Sequence, residues 1–560
     1  MKITRKACAQ KVSKKRSSKL VSLPDIFIGA GFTLIPSDTI HFRIQQRQGE
    51  IDFIFAHKNV IVLCEETGAT NEISNHFSKK KLFHSIIEKN PKDFFDIYSA
   101  ANTRFKDYVD RHEYDWDDLE LRYLYFSSAV DCDSSLFIHS KPIQILSRTD
   151  ANYFKSLSKI IGKSSKYELL KYLKVTLSQI GEARSAASNG TLSVYDAFAK
   201  SGAHTNYPDG FGIVSFYADP ASLIERSYVL RRDGWEASEI SYQRFLVPKK
   251  LSAMRDYLAD TKRVFVNNLI VTLPDHVRLT DCDGAPVNLS STFTGTVSLE
   301  LPNEFGTVGV VDGQHRIFSY HEGDDSNESK IKALRRRQNL LVTGIVFPKS
   351  YTPAQRAQFE AELFLSINNT QTKVKADLRQ ELEALTKPSS TIAICKSVIR
   401  KLAKSGALAG LLQEGLYDPP EKIRTSSLVR YVLPSLIKID GTGSLYQHFS
   451  DGTADLNDEA VREKYVEFCY RHINTVLLAA RTHLSSAWKP RQTGESGVLS
   501  PTSIGGLLLL LRDLIENYVN PLSFDFEAEL EGIENFDFSS YTSSRWSQLG
   551  AKLLADFFPD

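Results

Sequence analysis

The chain carries three successive styles of hydrophobic patterning. From residue 22 to about 175, short apolar runs stand among charged and aromatic segments. Ile51–Phe55 and Val60–Leu63 read as two strands joined by a turn at His57–Asn59, because each run is short and bounded by polar residues. Apolar residues at helical spacing predict helices near Asn75–Ile87, Arg104–His112 and Tyr153–Ile161, with a strand at Arg122–Phe126. Small residues at Ser185–Gly190 predict a linker within 180–205. A second α/β pattern then runs from about 208 to 385. Its strands are Phe211–Tyr217, Asn268–Leu273, Thr307–Val311 and Leu340–Phe347, and its helices are Pro248–Ala259, His315–His321 and Pro353–Ile367. Beyond 386 the pattern is helical almost throughout, at Thr391–Lys404, Ser427–Ile437, Asp458–Ser485 and Ile504–Val519. The expected fold is therefore multidomain α/β plus all-α: an arm over 1–21, α/β domains over 22–175 and 176–385, and a helical domain over 386–560.

Composition changes this picture little. A chain of 560 residues, 42% apolar and 24% charged, is too long for one core and ordinary for a globular protein. A net charge of +2 neither requires nor excludes a nucleic-acid partner, since binding needs a local basic surface. Residues 1–20 do hold Lys2, Arg5, Lys6, Lys11, Lys14, Lys15, Arg16 and Lys19 with no acid, which reads either as a phosphate-binding arm or as a solvated tail. The six cysteines form no CxxC pair, which argues against a zinc ribbon or a disulfide framework and fits a reducing compartment. The N-terminus has no apolar signal region, and the longest aliphatic run, Leu507–Leu511, is too short to span a bilayer. A cytoplasmic protein without a membrane partner is expected. There is no P-loop, GxGxxG, HExxH or GxSxG motif. The aromatic stretch Tyr108–Phe126 suits either base stacking or core packing.

The most informative segment is Val308-Gly-Val-Val-Asp312-Gly313-Gln314-His315-Arg316. An apolar strand runs into Asp-Gly and then into the polar start of a helix. Gly313 permits the tight turn, the helix start offers N–H groups to an anion, and Arg316 can grip phosphate bidentately. Asp312 can hold a divalent ion, while Gln314 and His315 suit a base, a sugar or a metal-bound water. An ordinary turn has the same composition.

This segment, with Tyr242-Gln243-Arg244, Phe265-Val-Asn267-Asn268-Leu-Ile-Val and Phe364-Leu-Ser-Ile367-Asn368-Asn369-Thr370-Gln371-Thr372-Lys373-Val374, resembles the DGQHR-domain family. That group is ParB/sulfiredoxin-like and related to DndB-like proteins of DNA phosphorothioate systems. The resemblance covers about a third of the chain. It implies a nucleotide site formed by Asp312, Gly313, Gln314, His315 and Arg316, with Asn368 as a second polar motif and Arg244, then Lys373, as phosphate contacts. Asn368-Asn369-Thr370 is also compatible with a helix C-cap and turn. The acid precedes the glycine here, unlike the GERR-like motif of ParB, so a preference for CTP is not carried over.

In the N-terminal part, Asp52 and Glu65 sit at the ends of two apolar strands, where a hairpin can bring both carboxylates to one divalent ion. The arrangement resembles a PD-(D/E)XK restriction-endonuclease-like core, except that Thr67 stands where the lysine belongs. Lys79, Lys80 and Lys81 are the available substitutes, and Lys80 is the expected one. A solvated strand end is the plain alternative.

Together these features imply a prokaryotic DNA-directed protein of a defence or DNA-modification system. Its NTP-binding DGQHR domain would be coupled to a nuclease-like domain using Mg or Mn at Asp52 and Glu65, with Asp312 as a further metal ligand. A non-catalytic, DndB-like regulator is the alternative, and a helical scaffold that forms homo-oligomers or binds defence partners is a third reading.

Overall fold

The computed structural model describes residues 21–559, apart from 38, 133–135, 138–139, 182–192, 232–233, 237–242, 370–382, 414–417, 419–420, 440–442, 450–452 and 492–496. The basic arm up to residue 20 lies outside the described residues, as do Tyr242 and Lys373. The chain divides into two compact units, residues 1–151 and 152–560. It is mixed α/β with a helical C-terminal part. No helix among the described residues is long and apolar enough to cross a membrane.

The first unit is built on a five-stranded sheet among its described residues. Its strands are β1 (Thr33–Ile35), β4 (Phe53–His57), β5 (Val60–Thr67), β6 (Glu120–Ser127) and β7 (Gln144–Leu146), in the order β1-β4-β5-β6-β7. A small hairpin, β2 (Phe42–Ile44) and β3 (Arg47–Gly49), stands apart from it. β4 and β5 are antiparallel and turn at Lys58, whose φ of +51° lies in the left-handed region. β5 then pairs in parallel with β6, so the chain must cross over between them. That crossover carries α1's successors: α1 is Leu23–Gly29, followed by α2 (Ile73–Lys89), α3 (Pro91–Ala101) and α4 (Thr103–Arg111). Ile54, Phe55, Ile61, Val62 and Leu63 are fully buried, so the hairpin is core on both faces until its polar end.

The division between the units falls ahead of the expected boundary near 175. Tyr153 and Glu168 both meet the Arg231 guanidinium, at 2.8 Å each, which ties the helices of 152–175 into the second unit.

The second unit has an eight-stranded sheet among its described residues. It consists of β8 (Ser193–Ser201), β9 (Gly212–Ala218), β10 (Ser227–Tyr228), β11 (Leu269–Leu273), β12 (Arg278–Thr280), β13 (Thr294–Leu301), β14 (Val308–Asp312) and β15 (Leu340–Val346), in the order β10-β14-β11-β15-β9-β8-β13-β12. β14 is antiparallel to β11 and parallel to β10, while β11 is parallel to β15. Two of its helices matter for the site: α5 (Pro248–Thr261) and α6 (Gln314–Phe318). β8 occupies part of the stretch expected to be a linker. Its alternating pattern buries only Ala197, Ala199 and Ser201, small residues that mimic loop composition.

The helical part over 391–558 has its own apolar core, including Val398, Leu428, Ile473, Leu508 and Leu553. The helix Pro501–Asn517 is buried along most of its length and packs against Trp546–Phe557. A Cβ on Gly506 would come within 2.4 Å of Leu549, so glycine is what lets these helices approach so closely.

Candidate functional site

The first site lies at the polar end of the β4–β5 hairpin. The last pair in the ladder is Phe53 opposite Cys64, so Asp52 falls opposite Glu65, one step beyond. Glu65 is fully buried, and its Oε1 lies 2.8 Å from His84 Nε2, also fully buried. Its Oε2 lies 2.5 Å from Lys80 Nζ, and Lys80 Nζ is 3.9 Å from Asp52 Oδ1. Lys80 also donates to the Glu50 carbonyl at 3.4 Å. Asp52 Oδ2 accepts from the Glu66 amide at 2.8 Å.

Helix geometry explains which lysine arrives. Phe77, Lys80, His84 and Ile87 follow one another at spacings of three and four on α2, so they share the face that covers the sheet. Phe77, His84 and Ile87 are buried, whereas Lys79 points to solvent. Asp52, Glu65 and Lys80 are thus brought together. Thr67, two residues past Glu65 and on the same face, leaves the position open for a cation from the helix.

The electrostatics divide the two acids. Burial raises the Asp52 carboxyl to about 6, and the neighbouring Glu65 charge adds to the shift. Burial alone would raise Glu65 as well, but the hydrogen bond and charge of His84, with Lys80, hold it below the usual carboxylate range. At the rim, His76 Nδ1 lies 3.0 Å from the Tyr125 hydroxyl. His84 went unnoticed in the sequence, although its spacing of four from Lys80 was the available signal.

Two carboxylates facing each other at the end of a hairpin suit a hard divalent cation, which commonly takes one or two protein carboxylates and fills its remaining positions with water and phosphate. Asp52 and Glu65 would hold it. Both Glu65 oxygens have partners here, so Lys80 would have to share or yield its place. Among the described residues, no group of three acids, histidines or cysteines is arranged for a metal.

The second site surrounds the Asp312–Arg316 turn. Gly313 has φ +104°, and a Cβ there would come within 2.4 Å of Leu269, so only glycine makes this turn without strain. Arg316 Nη2 donates to Asp312 Oδ2 at 2.6 Å, and Arg316 Nη1 donates to the Asn268 carbonyl at 2.7 Å. Gln314 Nε2 donates to the Arg244 carbonyl at 3.1 Å, and the Gln243 amide donates to the Val310 carbonyl. Three segments remote in sequence are thereby tied together by side chains on main-chain carbonyls.

A cavity of about 710 Å³ opens here, lined by Arg244, Lys250, Asn268, Asp312, Arg316 and Ile367 among others. The Asn268 Oδ1 and Gln314 Oε1 atoms are buried and have no hydrogen-bond partner among the described residues. His315 Nε2 accepts the Val247 amide at 3.1 Å. Burial lowers the His315 imidazole to about 4, and the positive charges of Lys250 and Arg231 add to the shift, so the ring is neutral near pH 7.

Three features of the geometry bear on how these residues could act. The helix after Gly313 has only five residues, too short for its N-terminus to act as an anion site, so the cations carry any phosphate contact. His315 Nε2 anchors the loop at Val247, so that nitrogen is taken up and is not turned to a base, a sugar or a metal-bound water. The Asp312 carboxylate is engaged by Arg316, which makes it first a partner of the guanidinium and only then a metal ligand. Arg244 lines the cavity. Asn368 lies in the last turn of the helix Pro353–Asn369, but its side chain lies outside the described residues. Lys250, absent from the expected set, faces the same cavity.

Comparison with known protein families, with curated proteins and with solved structures finds no match for this chain.

Proposed function

We propose that this is a DNA-directed protein of a prokaryotic defence or DNA-modification system, in which a nucleotide-binding DGQHR site is coupled to a metal-dependent nuclease-like site. The observation that carries the reading is Lys80, which meets Glu65 at 2.5 Å and so supplies from a helix the cation that Thr67 cannot. Mg or Mn bound at Asp52 and Glu65 would supply an activated water and neutralise phosphate charge. Lys80 would orient that water or the scissile phosphate, and His84 would hold Glu65 in place. In the second unit, Arg316, Arg244 and Lys250 favour an anionic ligand, and the partnerless Asn268 and Gln314 oxygens suit a base or sugar. NTP binding there would bias the activity of the first unit.

The test is divalent-dependent DNA cleavage with and without NTPs, for wild type, Asp52→Ala, Lys80→Ala and Asp312→Ala. NTP-stimulated cleavage lost in all three variants supports the coupled reading. Cleavage that survives Asp52→Ala sinks it.

One observation favours a DndB-like, non-catalytic regulator instead. The Lys80 ammonium already neutralises the buried Glu65, as a lysine retained for stability would. DNA binding without cleavage under any metal or nucleotide, with partner proteins or homo-oligomers forming on DNA, would select that reading.

A further inference from the structure

Beside the 710 Å³ cavity lies a second hollow of about 950 Å³, and the two share Lys250, Met254, Phe265 and Asn267. The second hollow is open to solvent along a ledge. Tyr257, 41% exposed, stacks on Phe265 with ring centroids 5.5 Å apart and planes 23° from parallel, and Val266 beside them is 84% exposed. Lys250, Lys262 and Arg263 also line this hollow, and among the described residues no acid does. Among the described residues, no carboxylate pairs with these three cations or with Arg244 across the boundary. Asp256 and Asp260 lie on the same helix but outside the lining, and Asp256 accepts a hydrogen bond from Asn327.

We infer that the Tyr257–Phe265 ledge is a docking surface for single-stranded nucleic acid, continuous with the cavity at Asp312–Arg316. The inference rests on reading that cavity as a nucleotide site and extends it from a free nucleotide to a strand. An exposed aromatic flanked by cations is the combination that binds single strands, because every base offers a face to stack and every linkage a charge to neutralise. Each hollow alone is the size of an ordinary ligand pocket, so a single mononucleotide would leave the ledge uncovered. A strand would set one phosphate near Arg316 and Lys250 and lay the next base on Tyr257. Duplex DNA would fit poorly, since its bases are stacked on one another and offer no free face to the ring.

The experiment is fluorescence anisotropy of a labelled oligodeoxythymidylate with the full-length chain, in parallel with titration of a labelled nucleoside triphosphate. Wild type is compared with Tyr257→Ala, Tyr257→Phe and Arg263→Glu, each checked for an unchanged thermal transition because both side chains are exposed. Tyr257→Ala and Arg263→Glu should each weaken oligonucleotide binding about tenfold or more, while Tyr257→Phe stays within about twofold of wild type. Triphosphate binding should be unchanged in all three. Oligonucleotide binding that is absent, stronger for duplex, or indifferent to Tyr257→Ala and Arg263→Glu would overturn the inference. If the triphosphate fails to bind while oligonucleotide binding still depends on Tyr257, the free-nucleotide reading falls and the strand surface stands.

Discussion

His84 Nε2 lies 2.8 Å from Glu65 Oε1, and neither side chain reaches solvent. A carboxylate in that position is tolerable only while its partners remain. The nitrogen that faces Glu65 must carry a proton to donate to it. His84→Phe would keep the shape and strand the charge, and it should cost about 3 kcal/mol of stability by urea unfolding. His84→Gln, which retains a donor, should cost clearly less. Equal losses in the two variants would refute the pairing argument.

Asp52 and Glu65 should titrate on opposite sides of ordinary carboxylates. In metal-free protein, carbon-detected NMR should find Asp52 protonating near pH 6, because it is buried beside Glu65. Lys80→Ala should move that midpoint higher, since the Lys80 charge opposes the shift. For stability the two acids act in opposite directions. The folded chain holds a proton on Asp52 more readily than the unfolded chain, so acidification from pH 7 toward 4 relieves a cost. Glu65 stabilises fully above about pH 4.5, and that contribution disappears as pH falls through its lower folded value.

Gly313→Ala tests the turn. It places a Cβ at φ +104° and against Leu269, so a loss of about 1–3 kcal/mol is expected in thermal unfolding, together with weakened triphosphate binding. An alanine variant as stable as wild type would mean that the turn relaxes freely.

Glu360 offers a pH test away from both sites. It is buried, its Oε1 accepts from Tyr228 at 2.6 Å and from the Thr272 hydroxyl, and burial raises it to about 7. Its ionisation therefore costs stability above pH 7, and the cost is relieved as pH falls toward 4.5. Glu360→Gln should be tolerated at pH 6, more stable than wild type at pH 8.5, and flat across that window. A wild-type melting temperature that does not change between those pH values would refute this.

Much of the fold was legible because strong periodicity survives tertiary context. The hairpin around Lys58, the strand into Asp312 and the helix Thr391–Lys404 lie where apolar spacing puts them. The strands Ser193–Ser201 and Thr294–Leu301 were not seen, because one face is solvated and the buried positions of the first are small. At the sites, sequence spacing pointed to Asp52, Glu65 and the lysine run, but only α2's pitch distinguishes Lys80 from its neighbours and adds His84. The cations opposite Arg316 were harder still, since Lys250 enters from a helix more than sixty residues earlier.

The pairing of β14 has a consequence in time. β14 carries the Asp312 turn and pairs with β11, whose other edge is covered by β15, ending at Val346. A nascent chain that has emerged through Arg316 therefore has every charged group of the turn but not the sheet that holds it. The sheet of the first unit, by contrast, is complete once Leu146 has emerged. Since domains tend to fold in order of synthesis, the Asp52–Glu65 end should mature well before the cavity at Asp312–Arg316. For part of each round of synthesis, the first unit would be folded while the second is not.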